Sequence, residues 1–561
     1  MYIGVDVGGT STNAVLLDDG LVRASATVPS SDDIITSLME ALDKIMKGVP
    51  AELIERVVFS TTLITNLIAE KKYDPVGLIL IPGPGLSHVH YQYHTDTFII
   101  SGAMDYRGRE IMPLRDDEIE KAINGLKKKG YKKVAVAGKF SSRNNKHEKE
   151  VVSRIKSSHP DWHVEMGHQV AGQLNFPRRV VSTMLACATR DKYSFFVDSV
   201  QSALTMRGIE GTVYILKADG GTMPLNKVTG VPIETIFSGP AASTLGVQAL
   251  IPPGETAVVV DIGGTTTDLA LILSGQPLLS ARGAPVYDQL TQVRALAVKS
   301  VAVGGDSLVE RVGKEILVYS ERLGPPYCLG GPMPTPTDAL RVLGLTRLGN
   351  AKKAFEAMDM LGQSLGMSHS EVAQRIINMV IDVIVQEIEA MFKQWEQEPA
   401  YRVWEVLQKR RERPDMVVGV GGAAAGFITQ IAARIGANPV IPPYASVANA
   451  IGAAVAIPTL QVNLRADTEQ GYYIIEQEGY QGKIEKASFT EEDALLLAGD
   501  WLKKRAEKYG LSKAVEKTEF TRRDVFTMVR NWITTGRIYD ISVQTPRGIM
   551  GHIGARGGFN D

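Results

Sequence analysis

The chain has 561 residues, 44% hydrophobic and 22% charged, with a formal net charge of -1. That length exceeds a single core and implies two to four domains of ordinary globular composition. The balanced charge argues against a surface that holds nucleic acid, and two cysteines, Cys187 and Cys328, can build neither a four-cysteine metal site nor a disulfide framework.

The N-terminus enters a strand without a basic region, apolar core and cleavage site. The most apolar late stretch, Met416 to Leu460, is broken by Arg434, Pro439, Pro442 and Pro443, so no membrane span is expected. A cytoplasmic, reducing setting follows. Met1 to Val28 reads as three short strands. The first two enclose Val5-Asp6-Val7-Gly8-Gly9-Thr10-Ser11-Thr12-Asn13, a strand, a glycine turn and a returning strand. Without Cβ atoms, Gly8 and Gly9 let the backbone approach an anion closely. The hydroxyls of Thr10 and Thr12 add donors, and Asp6 at the strand end can hold a hydrated divalent metal.

Ser30 or Ser31 caps a helix to about Lys47. Val57 to Ser60 is a strand feeding a threonine-capped helix from Thr61 to Glu70. Val76 to Ile81 is apolar throughout, as a strand covered on both faces would be. The alternation indicates an α/β domain. Residues 82–115 carry little pattern; His88, His90 and His94 followed by Asp96 could ligate a metal, and the plainer reading is a polar loop. Asp116 to Lys129 is an amphipathic helix, Lys133 to Ala137 a strand, and His147 to Ser157 a helix on a solvated outer face. Phe176 to Thr205 is one long helix. Its first turn carries Arg178 and Arg179, which oppose the helix dipole and call for solvent or an acidic partner.

Val213 to Leu216 leads to a third glycine turn, Asp219-Gly220-Gly221-Thr222. A strand, Glu234 to Phe237, precedes Ser238-Gly239-Pro240, a helix start whose free amides suit an anion. Then the first phrase returns as Val260-Asp261-Ile262-Gly263-Gly264-Thr265-Thr266-Thr267-Asp268. Two near-identical copies, each with its aspartate, read as two jaws holding a nucleotide's phosphates from opposite sides. They imply two related α/β halves facing one another across a cleft.

Ala295 to Val303 reads as a strand closed by Gly304-Gly305-Asp306-Ser307, with a helix after it. Ser368 and Glu371 are spaced as a capping box for a long helix. Asp415 to Val420 is a strand ending in Gly421-Gly422-Ala423-Ala424-Ala425, small enough for a flat ring to approach the backbone or for tight packing. Tyr444 to Ala456 is a helix of small residues, suited to close packing. From about Leu460 the character changes. A hairpin between Asp467 and Glu485, a helix from Glu491 to Lys508, a strand from Ile538 to Gln544 and a mobile glycine-rich tail from Gly548 make a small α/β appendage.

The order of these motifs resembles the actin/Hsp70/sugar-kinase superfamily and, more narrowly, the hydantoinase/oxoprolinase A-subunit family. The carrying stretches are Thr61-Thr62-x-x-Thr65-Asn66, Gly220-Gly221-Thr222-Met223, Ser238-Gly239-Pro240-Ala241, the second glycine phrase and Thr335-x-Thr337-Asp338-Ala339. The resemblance covers roughly residues 1–457. It implies two duplicated actin-like (ribonuclease H-like) halves around an ATP cleft, with a small α/β C-terminal appendage. The expected divisions are 1–175, 176–460 and 461–561.

The resemblance further implies ATP and Mg²⁺ as cofactors. Asp6 and Asp261 would sit near the metal and are the catalytic candidates. Gly8, Gly9, Thr10, Thr12, Gly263, Gly264, Thr265 and Thr266 would cradle phosphates; Gly304, Gly305, Gly421 and Gly422 would line ribose and adenine. The implied activity is ATP-dependent opening of a cyclic amide of hydantoin, oxoproline or lactam type through phosphorylation of its carbonyl oxygen. A B-type subunit partner and an oligomer go with it. An ATP-dependent carboxylase subunit, a small-molecule kinase and an ATPase switch acting on a protein partner are the alternatives. The chain departs from the family in its short C-terminal region and in Asp306, where another glycine is common.

Overall fold

The computed structural model describes residues 1–31, 34–85, 93, 95–226, 232–287, 289–397, 412–486 and 488–554. Strand Tyr2–Val7 is buried at all but its first position, which puts it at the centre of a sheet rather than at an edge. It pairs antiparallel with Ser11–Asp18 and parallel with Arg56–Thr61. Leu21–Pro29 closes one edge, and Thr212–Leu216 with Thr222–Pro224 the other.

The second half repeats this plan. Ala257–Ile262 pairs antiparallel with Thr267–Leu273 and parallel with Met416–Val420. Gln276–Pro277 and Asn438–Val440 lie outside these, in the positions of the third and fifth strands of the first unit. Three antiparallel strands followed by two parallel ones, twice over, is the duplicated actin-like arrangement. The boundary expected at 175/176 does not separate the sheets. Thr212–Leu216 lies beyond it, yet pairs with Arg56–Thr61. The reason is an inserted parallel sheet, ordered His163–Met166, Lys133–Gly138, Gly77–Ile81 and Thr97–Ile99, after which helix Phe176–Thr205 carries the chain back.

Two helices lock the halves by crossing over. Helix Ser238–Leu250 follows the first sheet, and its Val247 joins the core of Val259, Ala270 and Val418 in the second. Helix Ala448–Val455 follows the second sheet, and its Ala450, Ile451 and Ala454 pack on Val15 and Leu17 of the first. The approach is so close that only glycine fits. A Cβ on Gly452 would lie 1.9 Å from the Ala242 carbonyl oxygen, one on Gly246 1.9 Å from that of Ala448, and one on Gly4 2.0 Å from that of Ala450. The small residues between Tyr444 and Ala456 therefore serve packing, although the α-helix begins only at Ala448, after a short 3-10 turn at Ala445–Val447.

Several local expectations give way. The strand expected over Glu234 to Phe237 is absent: Pro232–Thr235 forms a 3-10 turn and Phe237 takes a left-handed conformation, φ +56°, ahead of the helix, which extended pairing does not allow. The strand expected over Ala295–Val303 shortens to Val298–Val301. No helix follows Gly304–Ser307. The Ser307 hydroxyl accepts the Gly304 N–H at 2.8 Å, and a hairpin of Val309–Val312 and Glu315–Val318 comes next. Helix Lys146–Ser158 is not merely an outer face, since His147 and Glu148 are buried. Arg179 is buried too, but its guanidinium donates to carbonyls of Gly138, Ala171 and Gln173 and to hydroxyls of Ser141 and Ser142. No carboxylate is needed there.

The C-terminal sheet runs Tyr480–Lys483, Tyr472–Ile475, Gln461–Asp467, Ile533–Gln544, Glu519–Arg530. Its long strand Glu519–Arg530 escapes sequence reading because it is mostly exposed and lacks an apolar alternation. Helix Glu491–Tyr509 covers one face through Ala494, Ala498 and Leu502. The sheet is anchored on the inserted region: Arg107 pairs with Asp467 at 2.7 Å and Glu469 at 2.6 Å, and Arg143 with Glu476 at 3.0 Å. Among the described residues, no helix is long and apolar enough to cross a membrane.

Candidate nucleotide cleft

Each glycine phrase folds into the same turn. The Gly8 N–H donates to the Ser11 carbonyl at 3.1 Å, and the Gly263 N–H to that of Thr266 at 3.0 Å. Both turns open on one cavity of about 440 Å³ between the halves. Thr10, Ser11, Asp261, Gly263 and Gly264 line its polar end. Leu340, Leu345, Leu348, Ala425 and Gly426 line the other. Such a cleft suits a ligand that is anionic at one end and flat and apolar at the other.

The crossing helices orient the two aspartates. Asn449 donates from Nδ2 to Asp6 Oδ2 at 2.7 Å and accepts on Oδ1 from Asn13 Nδ2 at 3.1 Å. On the other side the Ser243 hydroxyl donates to Asp261 Oδ2 at 2.5 Å. Each helix thus reaches from one half to hold the aspartate of the other. The Thr61-Thr62-x-x-Thr65-Asn66 stretch wraps the first turn. Thr62 N–H donates to the Val7 carbonyl at 3.1 Å, the Ser238 hydroxyl donates to the Thr61 carbonyl at 2.9 Å, and Thr65 Oγ1 accepts the Phe237 N–H at 3.0 Å.

Asp6 is buried, and its Oδ1 has no hydrogen-bond partner; the Ser60 hydroxyl turns to Ser238 at 3.5 Å. Burial, with the charge of Asp261 adding and the Asn449 bond opposing, pushes the Asp6 carboxyl up to about 6. Burial likewise raises Asp261 against the Ser243 bond. Directly across the strand pair from Asp261 stands Asp268. Burial and the charges of Asp261 and Asp6 raise it to about 7. A buried carboxylate oxygen with no donor, in a group of like charges, is a place where a hydrated cation fits. Among the described residues no preformed cluster of three metal-ligating side chains exists.

The remaining candidates divide. Gly305, Gly421 and Gly422 line the cavity. Gly421 has φ +83°, and a Cβ there would come 2.5 Å from Asp261 Oδ1, so glycine is required. Gly9, Thr265 and Thr266 lie on the turns, where Gly9 and Thr266 are exposed. Gly304 faces away: its Cβ would strike the Gly263 and Gly264 carbonyl oxygens at 2.8 and 2.6 Å. It supports the second turn, with Gly305 N–H donating to Gly263 at 2.9 Å and Asp306 N–H to Gly264 at 2.7 Å. Thr12 is fully buried with an unpartnered hydroxyl and does not line the cavity, because alternation along the strand sends its side chain to the opposite face from Ser11 and Asn13. Asp306 lines the cleft beside the second turn and pairs with Arg322 at 2.9 Å.

Sequence reading missed Asn449, Ser243 and Asp268 as site residues. Asp268 alone had a signal, as the last letter of the repeated phrase opposite Asn13 in the first copy. His88, His90 and His94 lie outside the described residues; Asp96 accepts from the Tyr131 hydroxyl at 2.9 Å and pairs with Lys129.

The hydantoinase/oxoprolinase family pattern matches residues 179–462, and that of the hydantoinase/oxoprolinase N-terminal region matches residues 2–158. The caprolactamase subunit alpha of Pseudomonas jessenii is 25% identical over 486 residues, 79% of this chain and 68% of the relative. The acetophenone carboxylase gamma subunit of Aromatoleum aromaticum is 24% identical over 437 residues, 68% of this chain and 59% of the relative. A nucleotide-free structure of acetone carboxylase, from work on ATP-dependent acetone carboxylation, superposes with a TM-score of 0.73 at 17% identity, covering 97% of this chain and 87% of that one; the two share a fold.

Proposed function

The chain belongs to the hydantoinase/oxoprolinase family, and from that premise we propose that it is an ATP-dependent enzyme subunit that opens a cyclic amide of hydantoin, oxoproline or lactam type by phosphorylating its carbonyl oxygen. The observation that carries the reading is the shared cleft. Both glycine turns, Asp261 and an apolar far end meet in one cavity, and Asp6 is held by Asn449 of the cavity lining where it feels the charge of Asp261.

In this reading the amides of Gly9 and Gly264 and the hydroxyls of Thr10, Thr265 and Thr266 cradle phosphates, while the Gly8 and Gly263 N–H groups close the turns. Ribose and adenine lie against Gly305, Gly421 and Gly422, toward Leu340, Leu345 and Leu348. Asp6 and Asp261 hold the water shell of Mg²⁺, which when bound offsets phosphate charge. The chemistry needs such a site because an amide carbonyl is a poor electrophile. When its oxygen attacks the terminal phosphorus, ADP leaves and the oxygen becomes part of a good leaving group. Water can then add to the carbon, the C–N bond breaks with the nitrogen leaving as the protonated amine, and a second water cleaves the resulting acyl phosphate to carboxylate and inorganic phosphate. Positioning and charge neutralisation supply most of the acceleration of phosphoryl transfer.

Likeness to the acetophenone carboxylase gamma subunit supports a second reading, an ATP-dependent carboxylase subunit on the same cleft. Both relatives are named as subunits, so a B-type partner, an oligomeric assembly and a cytoplasmic setting complete the proposal. The test follows phosphate release from ATP against hydantoins, oxoproline, lactams and ketones with hydrogencarbonate, with and without a partner subunit. Stimulation by a cyclic amide, with ring-opened product, supports the first reading. Stimulation by ketone with hydrogencarbonate replaces it with the second. A phosphorylated small molecule as end product would make the protein a kinase, and turnover that responds only to a protein partner would make it an ATPase switch.

A further inference from the structure

The third glycine turn borders a second cavity, separate from the nucleotide cleft and about 140 Å³ in volume. Three parts of the chain wall it: the inserted region at residues 170–173, the first half at Lys217 and Asp219, and the C-terminal sheet at Gln461, Gln544 and Arg547. The turn that brings them together is tight. Asp219 Oδ1 accepts the Gly221 N–H at 3.0 Å, and a Cβ on Gly221 would lie 1.8 Å from Thr459 Oγ1.

The walls carry uneven charge. Lys217 and Asp219 are buried and offset one another at 3.6 Å, and Arg505 is taken by Glu478 at 2.6 Å. Arg294 and Arg547 have no such partner. Among the described residues neither forms an ion pair. Arg294 donates only to the neutral amide oxygens of Gln461 at 3.0 Å and Gln544 at 2.7 Å. The Nε of Arg547 is buried with no acceptor at all. Glu234 also borders the cavity and the charge of Asp219 reaches both arginines, yet the lining keeps more positive than negative groups. Both arginines are half-buried, and two guanidinium groups facing one small polar cavity match the forked geometry of a carboxylate or related oxyanion.

We propose that the Lys217–Arg294–Arg547 cavity is a binding site for one small oxyanion, completed by the C-terminal sheet. Its size admits a carboxylate group, hydrogencarbonate or inorganic phosphate and excludes a nucleotide. The cavity shares no lining residue with the nucleotide cleft, which suits a handle on a carboxylate-bearing acceptor or a separate anion. The C-terminal region thereby gains a role, since Gln461, Gln477, Arg505, Gln544 and Arg547 all line the cavity.

The test is calorimetric titration of the full chain with acetate, hydrogencarbonate and inorganic phosphate as separate probes, ionic strength held constant with sodium chloride. The expected result is saturable one-site binding of at least one probe, weakened about tenfold or more by Arg547→Gln and by Arg294→Gln, and partly retained by Arg547→Lys. Mg·ATP affinity stays unchanged in all three variants. Preference for acetate points to a carboxylate borne by an organic acceptor, and preference for hydrogencarbonate or phosphate to a free ion. Absence of saturable binding by every probe overturns the proposal, as does binding that survives both glutamine substitutions. If Arg547→Gln fails to fold, the comparison of Arg294→Gln with Arg547→Lys decides by the same criteria. Because no nucleotide is needed to see the anion bind, failure here is distinct from failure of the ATP reading.

Discussion

Asn449 donates from Nδ2 to Asp6 Oδ2 at 2.7 Å, across 443 positions of sequence. A residue of the second half thereby fixes the carboxylate at the centre of the first. Asn449→Ala removes that donor from a buried carboxylate whose Oδ1 already has no partner. The expected loss is about 1–3 kcal/mol of folding stability, read by urea denaturation. Mg·ATP affinity should fall about tenfold, the equivalent of one hydrogen bond to a charged group.

The crossing helices give a pair of opposed glycine tests. Gly452→Ala places a Cβ 1.9 Å from the Ala242 carbonyl oxygen and should destabilise by about 1–3 kcal/mol or more through overpacking. Nucleotide affinity should fall with it, because the helix that carries Asn449 must shift. Gly499, inside helix Glu491–Tyr509, has open space around its missing Cβ. Gly499→Ala should stabilise the chain by about 0.5–1 kcal/mol and leave nucleotide binding alone. Thermal and urea unfolding of both variants checks the contrast.

Acidity offers a test with a definite sign. Asp6 and Asp268, raised to about 6 and about 7 from 3.8, keep protons in the fold that the unfolded chain releases. Across that interval the native state binds more protons, so stability falls as pH rises. The contribution is fully present below pH 3.8 and lost as pH passes about 7. Asp268→Asn should flatten the fall. Mg²⁺ should raise the melting temperature more at pH 8 than at pH 5, and scanning calorimetry across that range reads both effects.

The local parts of this site were legible and the long-range parts were not. The two glycine phrases could be read because each turn is made by neighbours in sequence. The same holds for the capping box at Ser368 and Glu371, which forms as spaced. Asn449 and Ser243 gave no signal, since their meaning comes from crossing into the opposite half. The division of the sheets was misplaced for a similar reason: nothing near Thr212 announces a partner at Arg56, an inserted sheet away. Thr12 was taken for a ligand because its residue type fits, while strand alternation sends its hydroxyl into the core.

Asp306 and Arg322 form the least expected part of the cleft wall. A carboxylate beside a phosphate turn should repel the ligand, and the pairing with Arg322 at 2.9 Å offsets it. Arg322→Ala should therefore weaken Mg·ATP binding, while Asp306→Asn alone should change it little or improve it. In the double variant the loss should be largely recovered. A double-mutant cycle on ATP affinity measures the coupling, expected at about 0.5–3 kcal/mol.

The central claim is that both glycine phrases serve one nucleotide. Calorimetric titration with Mg·ATP of the wild-type chain, Asp6→Asn and Asp261→Asn tests it most directly. The account expects one site per chain, with each substitution weakening binding about tenfold or more although the aspartates belong to different halves. If both variants bind Mg·ATP as the wild type does, the two turns do not share a nucleotide and the account is wrong.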